Sequence, residues 1–194
     1  MQHDYSKHLH RHVTFDIYLP PEYESSHDRQ FPLALFNDGQ DLPTAGMTQV
    51  LESLYRDRLI PPLIVVGVHA GHGRKQEYGT LRQPDYKGRG DKAPRYRDFV
   101  LEELSPYLRG KWRISERPQD TVFAVFSLFV MSAFDISWAH PDIFGASGVF
   151  SGSLGWRWET VDPANPDACR IIHDVVATTN DPRPTAQRFW FQAG

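Results

Sequence analysis

Apolar residues in this chain follow two spacings that alternate along its length. His12-Val13-Thr14-Phe15-Asp16-Ile17-Tyr18-Leu19 switches between apolar and polar with the period of a strand, and Pro20-Pro21 stops it. Phe31-Pro32-Leu33-Ala34-Leu35-Phe36 is almost unbroken and closes in Asn37-Asp38-Gly39-Gln40, which predicts a buried strand ending in a turn. Met47, Val50, Leu51, Leu54, Tyr55 and Leu59 recur at helical spacing until Pro61-Pro62 bars extension. Leu63-Ile64-Val65-Val66-Gly67-Val68 is apolar on both faces, as a strand covered by helices must be. Ala70 to Pro94, glycine-rich and charged, reads as a long surface loop. A second amphipathic helix runs through Tyr96, Phe99, Val100, Leu104 and Leu108. A strand at Thr121 to Phe126, a helix from Leu128, a strand at Phe144, a helix over Cys169 to Thr178 and a strand at Phe189-Trp190-Phe191-Gln192 complete the series. Such alternation predicts an α/β fold, a mostly parallel sheet with helices on both faces. Residues 1–11 are polar and His-rich and read as a tail ahead of one domain over 12–194.

Composition narrows the function. A chain of 194 residues with 40% hydrophobic and 23% charged positions builds one core rather than remaining disordered. Its net charge of -3, with both signs mixed, gives no basic stripe for nucleic acid. No apolar run approaches the ~20 residues of a membrane span, and Met1 to His12 holds no signal-like apolar segment. The expectation is a cytoplasmic protein without nucleic-acid or membrane partners. Cys169 is the single cysteine, so no internal disulfide forms; on an apolar helix face it reads as a small core residue.

Ser127 holds the most informative position, where the strand ending at Phe126 meets the helix starting at Leu128. A serine there can cap the helix, or stand as an exposed nucleophile at a strand-to-helix turn. That turn ordinarily reads G-x-S-x-G because strand and helix cross closely; here Val125, Phe129 and Val130 replace the small residues. His8, His10 and His12 would share one strand face, but no partner cluster accompanies them. His69 and His72 follow a strand whose end points toward Ser127 and are the in-chain candidates for a substitute base.

Phe15-Asp16-Ile17-Tyr18-Leu19-Pro20-Pro21, Asn37-Asp38-Gly39-Gln40, Glu77-Tyr78-Gly79 and the segment Ser127 to Ser153 occur in an order that resembles a known family. It is the group of esterases related to enterochelin esterase and esterase D, in the α/β-hydrolase superfamily, and the resemblance runs from about His12 to Gly194. The resemblance implies cleavage or transfer of a small-molecule carboxylic ester through a Ser–acid–His triad, with no metal or organic cofactor. It makes Ser127 the nucleophile and the backbone N–H groups of Gln40 and Leu128 the oxyanion hole, with Asp38, Glu77 and Tyr78 as substrate contacts. It also places the acid, the histidine, a further strand and a closing helix beyond Phe189 to Gln192, whereas the sequence stops at Gly194. The expectation is therefore a fold without its last strand and helix, little or no turnover, and an apolar edge near Phe189 that pairs with another copy. The competing expectation is a non-catalytic esterase-fold module that binds a ligand or itself.

Overall fold

The alternating pattern becomes a seven-stranded sheet in a computed structural model that describes residues 2–126, 131–152, 154–180 and 186–192. Its strands are β1 Gln2–Ser6, β2 Arg11–Tyr18, β3 Leu33–Asn37, β4 Ile64–Val68, β5 Thr121–Phe126, β6 Ala146–Phe150 and β7 Arg188–Gln192. They lie in the order β1-β2-β4-β3-β5-β6-β7. β1 and β2 are antiparallel to their neighbours, and β4, β3, β5, β6 and β7 form a parallel block. The fold class is as the spacing predicts, a mostly parallel α/β sheet. From β3 the chain steps to β4 on one side, then returns to place β5 on the other. This reversal is a topological switch point, and the crevice outside the C-terminal strand ends is where such sheets bind ligands.

The helices are α1 Met47–Arg56, α2 Arg74–Glu77, α3 Ala93–Asp98, α4 Ser105–Lys111, α5 Met131–Ala139 and α6 Ile171–Thr178. A π-helical segment, Phe99–Leu104, joins α3 to α4. Pro106 has no N–H to continue the ladder, and the Ser105 hydroxyl donates instead to the Val100 carbonyl at 2.7 Å. On one sheet face Phe123 stacks on Phe144 at 5.3 Å, while Phe134 of α5 packs on Phe189 and Phe191 of β7 at 5.1 and 5.8 Å.

Three local expectations change. The polar tail is not a tail, since Gln2–Ser6 pairs antiparallel with β2 in register Gln2↔Phe15 to Ser6↔Arg11. An edge strand needs main-chain partners more than apolar side chains, so its polar sequence hid it. The long surface loop is partly interior: Glu77, Tyr78, Thr80 and Asp85 are buried. Cys169 precedes α6 with φ 61 and is half-buried, so it does not sit on a helix face. Among the described residues no helix is long and apolar enough to cross a membrane.

Candidate active site

β3 ends at the switch point in a single 3₁₀ turn, Gly39–Asp41, entered through Asp38 in the left-handed region at φ 58 and ψ 42. A non-glycine residue holds such angles only when its surroundings fix them, and aspartate tolerates them better than most. Here the fixing is explicit. The buried Asp38 carboxylate takes both arms of Arg74, Nε to Oδ1 at 2.6 Å and Nη2 to Oδ2 at 2.5 Å. On its other side the Arg74 guanidinium lies over the buried Tyr78 ring, 5.7 Å from the ring centre. Gly39 lies directly on the Gly67 main chain of β4, with no room for a side chain between them. Gln40 is exposed, and its Oε1 accepts from the Ala70 N–H at 2.9 Å, which ties the turn to the end of β4. The first N–H groups of a helical turn have no acceptor within it, so those of Gly39 and Gln40 are directed ahead of the turn.

A buried polar chain runs from this turn toward α5. The rings of Tyr78 and Tyr96 meet edge to face with centres 4.9 Å apart, and burial raises both phenols above the usual tyrosine range. The Tyr96 hydroxyl donates to Asn37 Oδ1 at 2.6 Å, and Asn37 Nδ2 donates to Ser132 Oγ at 2.8 Å. With both phenols protonated at neutral pH, the chain fixes the last residue of β3 relative to the helix that follows β5. Beside it Glu77 is buried and accepts from Arg11 at 2.9 and 2.7 Å.

Of the sequence-derived site residues, Asp38, Gln40, Glu77 and Tyr78 converge at the end of β3. Asp38, Glu77 and Tyr78 are buried on internal partners, while Gln40 faces solvent. Ser127, Leu128, Phe129 and Val130 lie outside the described residues. The chain leaves β5 at Phe126, one strand from the turn, with Val125 wholly buried behind it. His69 bonds Asp16 at 2.7 Å and borders a polar cavity of about 350 Å³ with Arg11, Thr14 and His72, two strands from β5. His8, His10 and His12 do not converge: His8 meets Glu102 at 3.0 Å and His12 packs on the Tyr5 ring at 5.3 Å. Among the described residues no cluster of three or more His, Cys, Asp or Glu is placed to hold a metal ion. The sequence reading missed Arg74, Arg11, Tyr96 and Asn37 as builders of this site. No local signal marks them, since the left-handed conformation of Asp38 is visible only in the structure and Arg74 lies in the segment that reads as loop.

One buried carboxyl on α5 stands apart from the turn. Asp135 accepts from the Leu81 N–H at 2.5 Å and borders a cleft of about 540 Å³ with Arg82, Arg97 and Trp138. Burial pushes it up to about 6, against the opposing pull of the Leu81 bond. The unfolded carboxyl titrates near ~3.9, so the folded chain binds this proton more tightly. Stability therefore falls as pH rises from about 4 to about 6, by roughly 3 kcal/mol, and is flat above. Asp135→Asn still accepts the Leu81 bond and is expected to abolish that fall, read as equal urea midpoints at about pH 4 and about pH 7 after correction for the other carboxylates. A pH profile identical to the parent chain would show that Asp135 does not carry it.

A family model described as "Putative esterase" matches residues 6–192. No match is found among curated proteins. Among solved structures, the enterobactin esterase of Shigella flexneri, with 2,3-dihydroxy-N-benzoyl-serine present, superposes with TM-score 0.71 at 20% identity, covering 91% of this chain and 41% of its own. An IroE-like serine hydrolase from Shewanella oneidensis gives 0.64 at 23% identity, covering 79% and 50%. A ferulic acid esterase from Anaeromyces mucronatus, in complex with ferulic acid, gives 0.59 at 19%, covering 79% and 57%. The chain thus spans about half the length of the structures it resembles, and at these identities the likeness is one of fold.

Proposed function

The chain belongs to the Putative esterase family, and from that premise we propose that it acts on carboxylic esters at the switch point, with Ser127 as nucleophile. Ser127 Oγ attacks the ester carbonyl carbon, the alcohol leaves, and the acyl group passes from the serine to water or to a second alcohol. The oxygen that gains charge is held by the N–H groups of Gln40 and Leu128, each worth about 3 kcal/mol in such a site. The observation that carries this reading is the preorganised turn at Asp38-Gly39-Gln40, fixed by Arg74 and Gly67 one strand from the end of β5. An oxyanion donor is effective because it does not reorganise during reaction, and this turn is held by Arg74, by Gly67 and by the Ala70 N–H. Asp38, Glu77 and Tyr78 act here as positioning residues, since the two carboxylates are engaged with Arg74 and Arg11 rather than directed at a ligand and Tyr78 is wholly buried.

Turnover is slow in this reading. A serine hydroxyl is a weak nucleophile without an adjacent base, and the His69–Asp16 pair stands two strands away from β5. Oxyanion hole and binding without a triad still leave roughly 10³–10⁴-fold over water. A fluorophosphonate probe is expected to label the chain slowly, with labelling lost in Ser127→Ala and unchanged in His69→Gln. Labelling that persists in Ser127→Ala would remove Ser127 as the nucleophile. A second reading, a non-catalytic module that binds esters, is favoured by buried Val125 at the first glycine position of the elbow; a folded chain that takes up no probe at all would establish it over the first.

A further inference from the structure

The Asp135 carboxyl is 3% exposed, yet only one of its oxygens is satisfied. That oxygen accepts from the Leu81 N–H, and among the described residues no hydrogen bond or ion pair reaches the other. A buried carboxylate with neither a cation nor a second donor is destabilising, so a partner from outside the chain would find it ready. The carboxyl borders the cleft of about 540 Å³, a volume in the range of small-molecule sites. α3 supplies Arg97 to its wall, the loop after α2 supplies Leu81 and Arg82, α5 supplies Trp138, and α6 supplies Val175. α6 turns Ile172 and Val176 the other way, toward Phe189 of β7, so the cleft lies on the far side of that helix from the sheet edge. The charges around it are matched except one. Arg97 meets Asp98 at 2.7 Å, and Arg82 meets Asp174 at 2.5 Å. His140, just after α5 and near Asp142, Arg97 and Asp98, is held below the ordinary histidine range by burial and is neutral at pH 7. The Trp138 indole N–H is given to Thr179 at 3.0 Å, and Thr178 accepts from Arg82 at 3.2 Å. The charge left without a counterpart is that of Asp135.

We propose that this cleft binds a small organic ammonium ion, whose N–H groups bond the second oxygen of Asp135 while its hydrocarbon part lies against Trp138, Leu81 and Val175. The lining selects this class of ligand. A metal ion takes several oxygen or nitrogen ligands, and among the described residues no group of three or more His, Cys, Asp or Glu is placed to supply them. An ammonium ion needs one carboxylate. An anion would meet two arginines that already hold carboxylates, and would sit beside a third acid with no cation of its own. The apolar residues of the wall then favour a ligand with a hydrocarbon body over a bare ion. Binding is linked to a proton. Burial pushes Asp135 up to about 6, and the ammonium ion takes the ionised form, so below that pH the ligand must displace a proton into solvent. Affinity therefore rises with pH through about 6 and levels off above. This inference goes beyond the chemistry assigned to Ser127 and does not depend on it.

Benzylamine, a cation throughout this pH range, is the probe, with benzoate and benzyl alcohol as its anionic and neutral counterparts. Calorimetric titration of the 194-residue chain at neutral pH is expected to show saturable one-to-one binding of benzylammonium, tighter than either counterpart. Its affinity should fall about tenfold between about pH 7 and about pH 5, as the ionised fraction of Asp135 falls. At about pH 6, heats measured in two buffers should differ by the release of about half a proton per ligand. Asp135→Asn keeps the Leu81 bond and should lose the binding and the proton release together. Ala139→Phe, at the border of the cleft, narrows it without touching the carboxyl; it should lose the binding and keep the parent's pH profile of stability. Both variants should retain the parent circular dichroism spectrum. Absence of saturable benzylammonium binding to the parent chain would overturn the proposal. So would benzoate binding the more tightly, or benzylammonium binding that either variant leaves intact.

Discussion

Replacing Gly39 by alanine is expected to destabilise the chain by about 4 kcal/mol, beyond the usual range for one added methyl group. The residue needs no unusual backbone angle; its constraint is space. A Cβ on Gly39 would fall inside the carbonyl group of Gly67, so both colliding partners are main chain and neither can rotate away. Relief requires the turn to lift off β4, which breaks the Ala70 to Gln40 bond and draws Asp38 away from Arg74. The reciprocal change is the control. A Cβ on Gly67 would meet Leu42 Cδ1 at 2.6 Å and the Gly39 Cα at 2.9 Å, and the leucine can change rotamer. Gly67→Ala should therefore cost about 2 kcal/mol, half as much as its neighbour. Urea denaturation of the two variants checks the order. Equal losses would mean that the turn moves more freely than its contacts suggest, and would weaken the case for a preorganised oxyanion donor.

That close approach shows what the sequence reveals and what it withholds. Leu63 to Val68 is readable as a buried strand because apolarity on both faces leaves few other structures, and Asn37-Asp38-Gly39-Gln40 is readable as a turn because Asp-Gly is turn chemistry. The contact between Gly39 and Gly67 is invisible, since the two residues are brought together only by the register of β3 with β4. Arg74 and Tyr96 are hidden for the same reason. Each lies in a stretch whose local composition says loop or helix surface, while its partner is tens of residues away. β1 escaped detection from the opposite cause, because pairing at an edge is driven by main-chain groups that every sequence carries. Asp135 escaped as an ordinary polar residue in a helix; its burial depends on Leu81 folding back over α5. Periodicity reports which face of an element is covered, and the site is made of what covers it.

Arg74 is where this matters most for function. Arg74→Met is expected to cost about 3 kcal/mol, because it leaves the Asp38 carboxylate buried and without a cation. The pair is a two-pronged contact with Asp38 only 3% exposed, so salt should screen the effect little. Burial alone would lower the arginine, yet the bonds to Asp38 outweigh it and hold the guanidinium above its ordinary range. Asp38→Asn isolates the charge from the geometry, since asparagine also tolerates the left-handed region, and it should cost about 1 kcal/mol. The double variant Asp38→Asn with Arg74→Met removes both charges and should be more stable than Arg74→Met alone by about 2 kcal/mol. A double-mutant cycle on urea midpoints measures the coupling directly. If the double variant is no better than Arg74→Met, the loss comes from the guanidinium over the Tyr78 ring, 5.7 Å from its centre, and not from a stranded charge. If the rescue appears, then Asp38 is held in its left-handed conformation by an ion pair whose partner sits on α2. The aim of the Gln40 N–H is then set by a residue that no ester need touch.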